Sequence, residues 1–213
     1  MREANPIPLT ITQNGDPVLR QEARSVSADQ FGSPDLERVL TRMIQELESC
    51  EDGVAIAAPQ IGESLRIFIV SHRAFEIEAE EERNRKERDI PKKKRTPIPR
   101  AQDLICINPE IINMSKKRVI VPEGCLSVRW IYGKTLRSDK ATIRAFDVTG
   151  KPFTRGGSGL LAQIFQHETD HLNGILFIDH ATDLEEITPK RRTGSKLPNH
   201  PENEHPFETY PQS

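Results

Sequence analysis

Apolar residues recur at helical spacing in two stretches of the chain. The first follows Ser33 and Pro34, residue types typical of a helix N-cap and of the first helical position. Its apolar face consists of Leu36, Val39, Leu40, Met43, Ile44 and Leu47. The second is GLLAQIFQHETDHLNG, which Gly174 is well placed to end. Its apolar face consists of Leu160, Leu161, Ile164, Phe165 and Leu172. We therefore predict two amphipathic helices.

Shorter runs rich in β-branched residues indicate strands. They are LRIFIVS (65–71), DLICINPEII (103–112), KRVIVPEG (117–124) and ATIRAFDVTGKPF (141–153). The last of these carries a turn signal, Thr149 and Gly150, inside a hairpin-like pattern. The pattern favours an α+β fold, although by itself it does not predict the topology.

Two segments differ in composition from the rest of the chain. Residues 74–100 contain acidic and then basic blocks, and Pro91, Pro97 and Pro99 would end any helix there. We expect a charged, flexible insertion, in which KKKR is a solvated loop rather than a recognition patch. Residues 182–213 are polar and rich in proline, so we expect a tail beyond a single domain at residues 1–181.

The overall composition excludes several classes of protein. The chain has 213 residues and a formal net charge of −2, which does not suggest nucleic-acid binding by phosphate neutralisation. No stretch approaches the roughly 18 apolar residues of a membrane span, and the N-terminus lacks a signal-peptide pattern. We expect a cytoplasmic protein. Cys50, Cys106 and Cys125 have no paired spacing, which argues against a disulfide framework and leaves room for one functional thiol.

The sequence QHETDHLNG places two histidines four residues apart. On a helix His167 and His171 project within about 40° of each other, so one cation can contact both. Glu168 lies roughly 60° from His171, where it can take a proton from water bound to that cation. The motif alone leaves an ordinary polar helix face as an equal alternative. Phe177 occupies the third-ligand position of the metzincin pattern and cannot bind metal, which weakens that branch.

Cys125 in PEGCLS is a candidate third ligand. One thiolate and two imidazoles would leave a fourth position open for water, as in catalytic sites. The alternative is a small buried apolar residue, the role that we assign to Cys50 and Cys106.

Three separated segments carry a family resemblance. GVAIAAPQ (53–60), EGCLS (123–127) and QHETDHLNG (166–174) resemble the three signature motifs of peptide deformylases, in order and in spacing. The similarity extends from about residue 15 to about residue 180. It implies antiparallel sheets wrapped around a central helix that carries the HExxH motif. It also implies removal of the formyl group from the N-terminal formyl-methionine of new polypeptides, with release of formate.

The resemblance implies a role for each motif. Cys125, His167 and His171 would hold one divalent ion, Fe²⁺ in the cell, with Zn²⁺, Ni²⁺ or Co²⁺ as replacements in preparations. Glu168 would accept a proton from water and deliver it to the leaving amine. Gln60 and the backbone N–H of Leu126 would stabilise the oxyanion, although a glutamine at such a place often only satisfies a turn.

The resemblance also implies a peptide site and partners. The substrate-binding residues would be Gly53, Ala55, Ile56, Val121, Gly124, Leu160 and Ile164. Core packing explains the apolar members of this set equally well. The partners would be nascent N-formylated peptides, with the ribosome as a further candidate and with neither nucleic acid nor membrane bound directly. We expect a monomer.

Two departures from the family pattern bear on activity. Ala55 stands where a glycine is usual, and Arg129 replaces a proline, followed by Trp130 and Tyr132 near the expected peptide path. One alternative that they suggest is a deformylase-like protein of low turnover that binds peptide N-termini. Another metal-dependent amidase or peptidase is a second alternative, and a purely structural metal site ranks last.

Overall fold

The computed structural model describes residues 11–87 and 101–187, which form two antiparallel sheets and three α-helices. In spatial order, the larger sheet contains β1 (Ala55–Ala57), β2 (Ile67–Val70), β3 (Leu104–Met114), β6 (Lys140–Phe146) and β7 (Pro152–Ser158). The smaller sheet contains β4 (Arg118–Gly124), β5 (Ile131–Ser138) and β8 (Thr182–Glu186). The helices are α1 (Pro34–Ser49), α2 (His72–Lys86) and α3 (Gly159–Leu172). The predicted α+β class is confirmed.

The larger sheet lies between α1 and α3. Along β2, Phe68 and Val70 pack in the apolar cluster of α3, whereas Ile67 and Ile69 pack in that of α1. Because alternate residues of a strand point to opposite faces, β2 is buried on both sides. This explains why the run LRIFIVS is apolar without alternation. The rings of Phe68 and Phe165 meet at a centroid distance of 6.3 Å, which joins the sheet to α3.

Both predicted helices are confirmed with their ends. Ser33 Oγ accepts a hydrogen bond from the backbone N of Leu36 at 3.2 Å, and Pro34 is the first residue of α1. Gly174 follows α3 with a φ of 71°, the left-handed conformation that glycine adopts without strain. No helix in the described part of the chain combines the length and the apolar content needed to cross a bilayer.

The predicted strands are also confirmed. LRIFIVS contains β2, DLICINPEII lies in β3 from its second residue onward, and KRVIVPEG contains β4. The hairpin prediction corresponds to β6 and β7, which pair from Phe146 with Pro152 to Lys140 with Ser158. Gly150 in the connecting turn has a φ of 79°.

The expectation of a flexible insertion is wrong for its first part, because α2 continues to Lys86. Ser71 caps this helix by accepting a hydrogen bond from the backbone N of Arg73. Ion pairs along the helix, such as Lys86 Nζ with Glu82 Oε1 at 2.6 Å, support it further. The pattern of apolar residues did not predict this helix, because the apolar face of α2 is small. The remainder of the insertion, 88–100, lies outside the described residues.

Part of the predicted tail is a strand. Thr182–Glu186 form β8, which pairs with β5 although all five of its residues are exposed. A strand held by backbone pairing and by an exposed charge pair, here Lys134 with Asp183 at 3.0 Å, shows no apolar alternation in the sequence. β5 itself, within VRWIYGKTLR, was not predicted either. The tail residues 188–213 lie outside the described residues.

Candidate metal centre

The three predicted metal ligands meet between the two sheets. Cys125 directly follows β4, and His167 and His171 lie on consecutive turns of α3. The ligand atoms of the three side chains all lie within 4.8 Å of one another. Cys125 Sγ lies 3.2 Å from His171 Nε2, and the two imidazole rings are 4.9 Å apart between centroids. The fold therefore assembles one thiol and two imidazoles into a group that one cation can contact.

This group fits a catalytic metal ion. Sulfur and imidazole nitrogen are the ligands that Zn²⁺ and Fe²⁺ accept readily, and three protein ligands leave a coordination position free. His171 is fully buried, and burial lowers its pKa, so its imidazole is neutral as metal binding requires. Burial also acts to lower the pKa of His167, but the hydrogen bonds with Cys125 and Glu123 hold it above its ordinary value. A cation bound here would displace the additional proton that this raised pKa keeps on His167.

A buried carboxylate that the sequence analysis did not include orients His167. Oε1 of Glu123 lies 2.6 Å from His167 Nδ1, and the same carboxylate pairs with Arg137 at 2.6 Å. Oγ1 of Thr135 donates to its other oxygen at 2.5 Å. Burial by itself would raise the pKa of Glu123, but the bonds from His167 and Arg137 hold that pKa well below its ordinary value.

Because Glu123 stays ionised, it accepts the proton of His167 Nδ1 and leaves Nε2 as the nitrogen that could bind a metal ion. This pairing of carboxylate and histidine is the common support of a metal-bound imidazole. A signal existed in the sequence, because Glu123 opens the EGCLS segment two residues before Cys125. Arg137 gives no such signal, since only the pairing of β4 with β5 brings it to Glu123.

Glu168 lies between the two histidines on α3 and has the properties of a proton acceptor. Its side chain is 3% exposed, and among the described residues its Oε2 has no hydrogen-bond partner. Burial raises the pKa of Glu168 to about 7. A carboxylate with a pKa near neutrality can both accept and return a proton during one reaction cycle.

Gln60 lies beside Cys125 in a fixed orientation. Its Oε1 accepts a hydrogen bond from the backbone N of Ala57 at 2.8 Å, which turns Nε2 towards the metal group. Nε2 donates to Ser127 Oγ at 3.1 Å and lies 3.5 Å from Cys125 Sγ. Leu126 follows Cys125 and is 8% exposed. The structure thus places the amide nitrogen of Gln60 beside the proposed metal ligands. The amide oxygen of the same side chain makes the hydrogen bond within the turn.

The predicted peptide-binding residues are only partly brought together. Ala55 and Ile164 pack in the cluster around α3, with Leu160 against it, and β4 carries Val121 and Gly124 nearby. Ile56 points to the other face of β1 and packs in the α1 cluster with no exposure. Core packing, the alternative allowed by the sequence, accounts for Ile56.

Two glycines in this region serve close packing. A Cβ added to Gly124 would lie 2.7 Å from the ring of Tyr132, so this position accepts no side chain without moving the ring. A Cβ added to Gly53 would lie 3.1 Å from atoms of Cys50 and Leu47, which is tight but nearer to ordinary contact. Close packing within the protein therefore explains Gly124 without invoking a ligand.

Arg129 connects the segment after Cys125 to the turn before β1. Its Nη1 lies 2.6 Å from Asp52 Oδ2, and its guanidinium lies over the ring of Trp130 at 5.0 Å from the centroid.

Phe177, at the third-ligand position of the metzincin pattern, is 1% exposed and stacks on His167 at 6.3 Å. It supports a ligand by packing.

Comparisons with known proteins agree with this geometry. The family model described as "Polypeptide deformylase" matches residues 8–186. A peptide deformylase of Halothermothrix orenii is 37% identical over 179 residues, which cover 84% of this chain and 96% of that protein. Among solved structures, a Synechococcus elongatus peptide deformylase in complex with actinonin has a TM-score of 0.66 at 32% identity, covering 83% of this chain and 82% of that one. An Acinetobacter baumannii class I type b peptide deformylase bound to Met-Ala-Ser has a TM-score of 0.65 at 29% identity, covering 82% of this chain and 99% of that one.

Proposed function

The chain belongs to the polypeptide deformylase family, and from that premise we propose which of its residues carry the reaction. As a member of this family it is a metal-dependent hydrolase that removes the N-formyl group from the formyl-methionine of new polypeptides. The observation that carries the residue assignment is the meeting of Cys125, His167 and His171 within 4.8 Å, beside a buried Glu168.

Cys125, His167 and His171 hold one divalent ion in this proposal, which is Fe²⁺ in the cell and is replaced by Zn²⁺, Ni²⁺ or Co²⁺ in preparations. When bound, such an ion acts as a Lewis acid and makes hydroxide available at neutral pH. The mixed sulfur and nitrogen donor set supports a metal of this group over Mg²⁺ or Ca²⁺, which prefer oxygen. Glu123 fixes the ring of His167 for this purpose through the 2.6 Å bond to Nδ1.

Glu168 moves the proton. It takes a proton from the attacking water and delivers it to the nitrogen of the leaving amine as the C–N bond of the formamide breaks. The raised pKa of Glu168, about 7, supports this double role. Burial also keeps bulk water from competing for the proton, because the carboxyl is 3% exposed.

Gln60 and the N–H of Leu126 stabilise the negative charge that develops on the formyl oxygen. Nε2 of Gln60 is held in place before the reaction, since its partner oxygen is bound to Ala57 N at 2.8 Å. A donor fixed in advance costs no reorganisation when the charge forms, and removing one such donor typically costs about 10²–10³ in kcat.

The peptide lies along β1 and the end of β4. Among the described strands β1 pairs only with β2, and an extended chain can add to an edge of a sheet that is left unpaired. Gly53, Ala55, Ile56 and Gly124 would contribute through their backbone, and Val121, Leu160 and Ile164 would border the methionine side chain. The Met-Ala-Ser complex of the similar Acinetobacter baumannii protein supports a peptide ligand of this kind.

The protein acts as a single catalytic domain and as a monomer. The contacts of α3 with strands of both sheets support the single domain. Its substrates are nascent N-formylated peptides in the cytoplasm, and the ribosome is a candidate partner.

Formate release tests the function directly. The protein is loaded with Fe²⁺ under anaerobic conditions and supplied with formyl-Met-Ala-Ser or acetyl-Met-Ala-Ser. We expect formate from the first peptide and no acetate from the second. Tight binding of the formylated peptide without formate would instead indicate a peptide-binding protein, and release of acetate or internal cleavage would indicate another amidase or peptidase.

A further inference from the structure

α2 contacts the catalytic helix α3 at its first turn. Oε1 of Glu78 accepts a hydrogen bond from the backbone N of Leu161, the third residue of α3, at 2.9 Å. The first amides of a helix have no partner within the helix and are usually capped by the preceding side chain. Here Ser158 occupies the N-cap position without making that bond. Glu78, more than 80 residues away in sequence, supplies it.

The charge of Glu78 suits this position. The N-terminus of a helix carries a partial positive charge that favours a carboxylate. Burial raises the pKa of Glu78 above its ordinary value, and the neighbouring charges of Glu81 and Glu82 add to this rise, while the hydrogen bond from the Leu161 amide and the charge of Arg155 oppose it. Arg155 is itself held over the ring of Phe75 at 5.7 Å. The hydrogen bond from the Leu161 amide therefore fixes this carboxylate at the first turn of α3.

α2 is a rigid support for Glu78, because Arg73 fixes the start of the helix. Nη2 of Arg73 donates to the backbone O of Leu47 at 2.6 Å, and Nη1 donates to the backbone O of Cys50 and Glu51 at 2.7 and 3.0 Å. These carbonyls belong to the end of α1 and to the turn that leads into β1. α2 thus contacts both the turn that leads into β1, the strand proposed to bind the peptide, and α3, the helix proposed to border the first side chain of the peptide.

We propose that Glu78 is a positioning residue for peptide binding, which fixes the first turn of α3 and with it the pocket side chain of Leu160. The inference rests on the proposed function, since it takes the region of Leu160 and Ile164 as the methionine pocket. Loss of the cap loosens the first turn, while the metal ligands lie two turns further along and are held by Glu123 and by the core. Substrate binding therefore weakens, and the chemical step does not.

The test compares Glu78→Ala and Glu78→Gln with Glu82→Ala, an exposed glutamate one turn further along α2. Steady-state kinetics with formyl-Met-Ala-Ser separates KM from kcat. For Glu78→Ala we expect KM to rise about fivefold, the effect of losing one N-cap, with kcat and metal content unchanged. Glu78→Gln keeps a neutral hydrogen-bond acceptor, so its KM should lie between that of the parent and that of Glu78→Ala. Glu82→Ala should match the parent.

Two further readouts exclude a merely structural role. The preference for formyl-Met-Ala-Ser over formyl-Ala-Ala-Ser should fall in Glu78→Ala, because the misplaced pocket gains less from the methionine side chain. Hydrogen exchange should accelerate at residues 160–162 and not at 167–171. An unchanged KM and preference, or a loss confined to kcat, would overturn the inference. A parent that releases no formate would overturn the proposed function instead.

Discussion

His167 Nδ1 and Glu123 Oε1 lie 2.6 Å apart, although 44 residues separate them in sequence. The carboxylate can only accept, so the imidazole donates from Nδ1 and its Nε2 faces the thiol of Cys125. Arg137 in turn holds Glu123 through a second contact of 2.6 Å. The orientation of one proposed metal ligand thus depends on a buried ion pair that contains none of the three proposed ligands.

Glu123→Gln should weaken metal binding. The neutral amide is a poorer acceptor for His167 and removes one of the two carboxylates that pair with Arg137, the other being Asp170. Loss of such a supporting carboxylate typically lowers metal affinity by about 10–100-fold. Competitive titration with a chelator measures the affinity, and circular dichroism checks that the protein is folded. Glu110→Gln is the matched control, because its pair with Arg144 is exposed. An affinity equal to that of the parent would contradict this role for Glu123.

Glu168→Ala should retain the metal and lose turnover. The three ligands are untouched, but the proton has no acceptor, and general acid–base catalysis contributes about 10²–10⁴-fold. Metal content by mass spectrometry and formate release measured on the same sample separate the two effects. Glu37→Ala, an exposed change on α1, serves as the control. If Glu168→Ala releases formate at the parent rate, Glu168 is not the proton acceptor.

Cys125→Ser should abolish the response of thermal stability to metal. An ion that binds only the folded state at about 1,000 times its Kd stabilises that state by about 4 kcal/mol. A chelator should therefore lower the Tm of the parent and of Cys50→Ser, and should leave the Tm of Cys125→Ser unchanged. Differential scanning calorimetry provides the measurement. A Cys125→Ser protein whose Tm still falls with chelator would exclude Cys125 as a ligand.

Ala55→Gly should increase kcat/KM. Among the described non-glycine residues only Asn108 and Asp183 have positive φ, so backbone strain at Ala55 is excluded as a reason for the family's glycine. Ala55 is 7% exposed and packs in the α3 cluster, and we expect its methyl group also to limit the approach of the peptide to β1. The variant should lower KM, and it should lose roughly 0.5–1 kcal/mol of stability, because glycine weakens a strand. A kcat/KM no higher than that of the parent would show that the methyl group does not hinder the peptide.

Arg129→Ala should raise KM slightly. The ion pair with Asp52 links the turn before Gly53 to the segment after Cys125, and partly exposed pairs contribute at most about 1 kcal/mol. We expect less than about a fivefold change in KM at low salt, and a smaller one at high salt. Arg144→Ala removes an exposed pair far from the peptide path and should change nothing. A KM that does not depend on Arg129 would leave the Asp52 pair without a role in binding.

The sequence predicted the elements whose residues repeat with a clear period. α1 and α3 have wide apolar faces, and β2 is buried on both sides, so their burial is visible as a pattern of apolar residues in the sequence. α2 and β8 show no such pattern. α2 has one buried residue, Ala74, and β8 has none, because charge pairs and backbone pairing hold these elements.

The candidate site divides in the same way. Cys125, His167 and His171 could be predicted because their side chains form recognisable motifs at fixed spacing. Glu123 lay within such a motif and was still missed, because its role depends on a hydrogen bond across two elements. Glu78 and Arg137 could not have been found from spacing, since only tertiary packing brings them to α3 and to β4.

Cys125 directly follows a strand of the smaller sheet, whereas the histidines lie on a helix packed against the larger one. A metal ion that joins Cys125 to His171 closes a loop across 46 positions of the chain. A chain still under synthesis has no complete ligand set until residue 171 is available to fold. In the proposed site, metal binding by all three side chains therefore waits for the end of α3, and a chain that stops before residue 171 cannot assemble the ligand set.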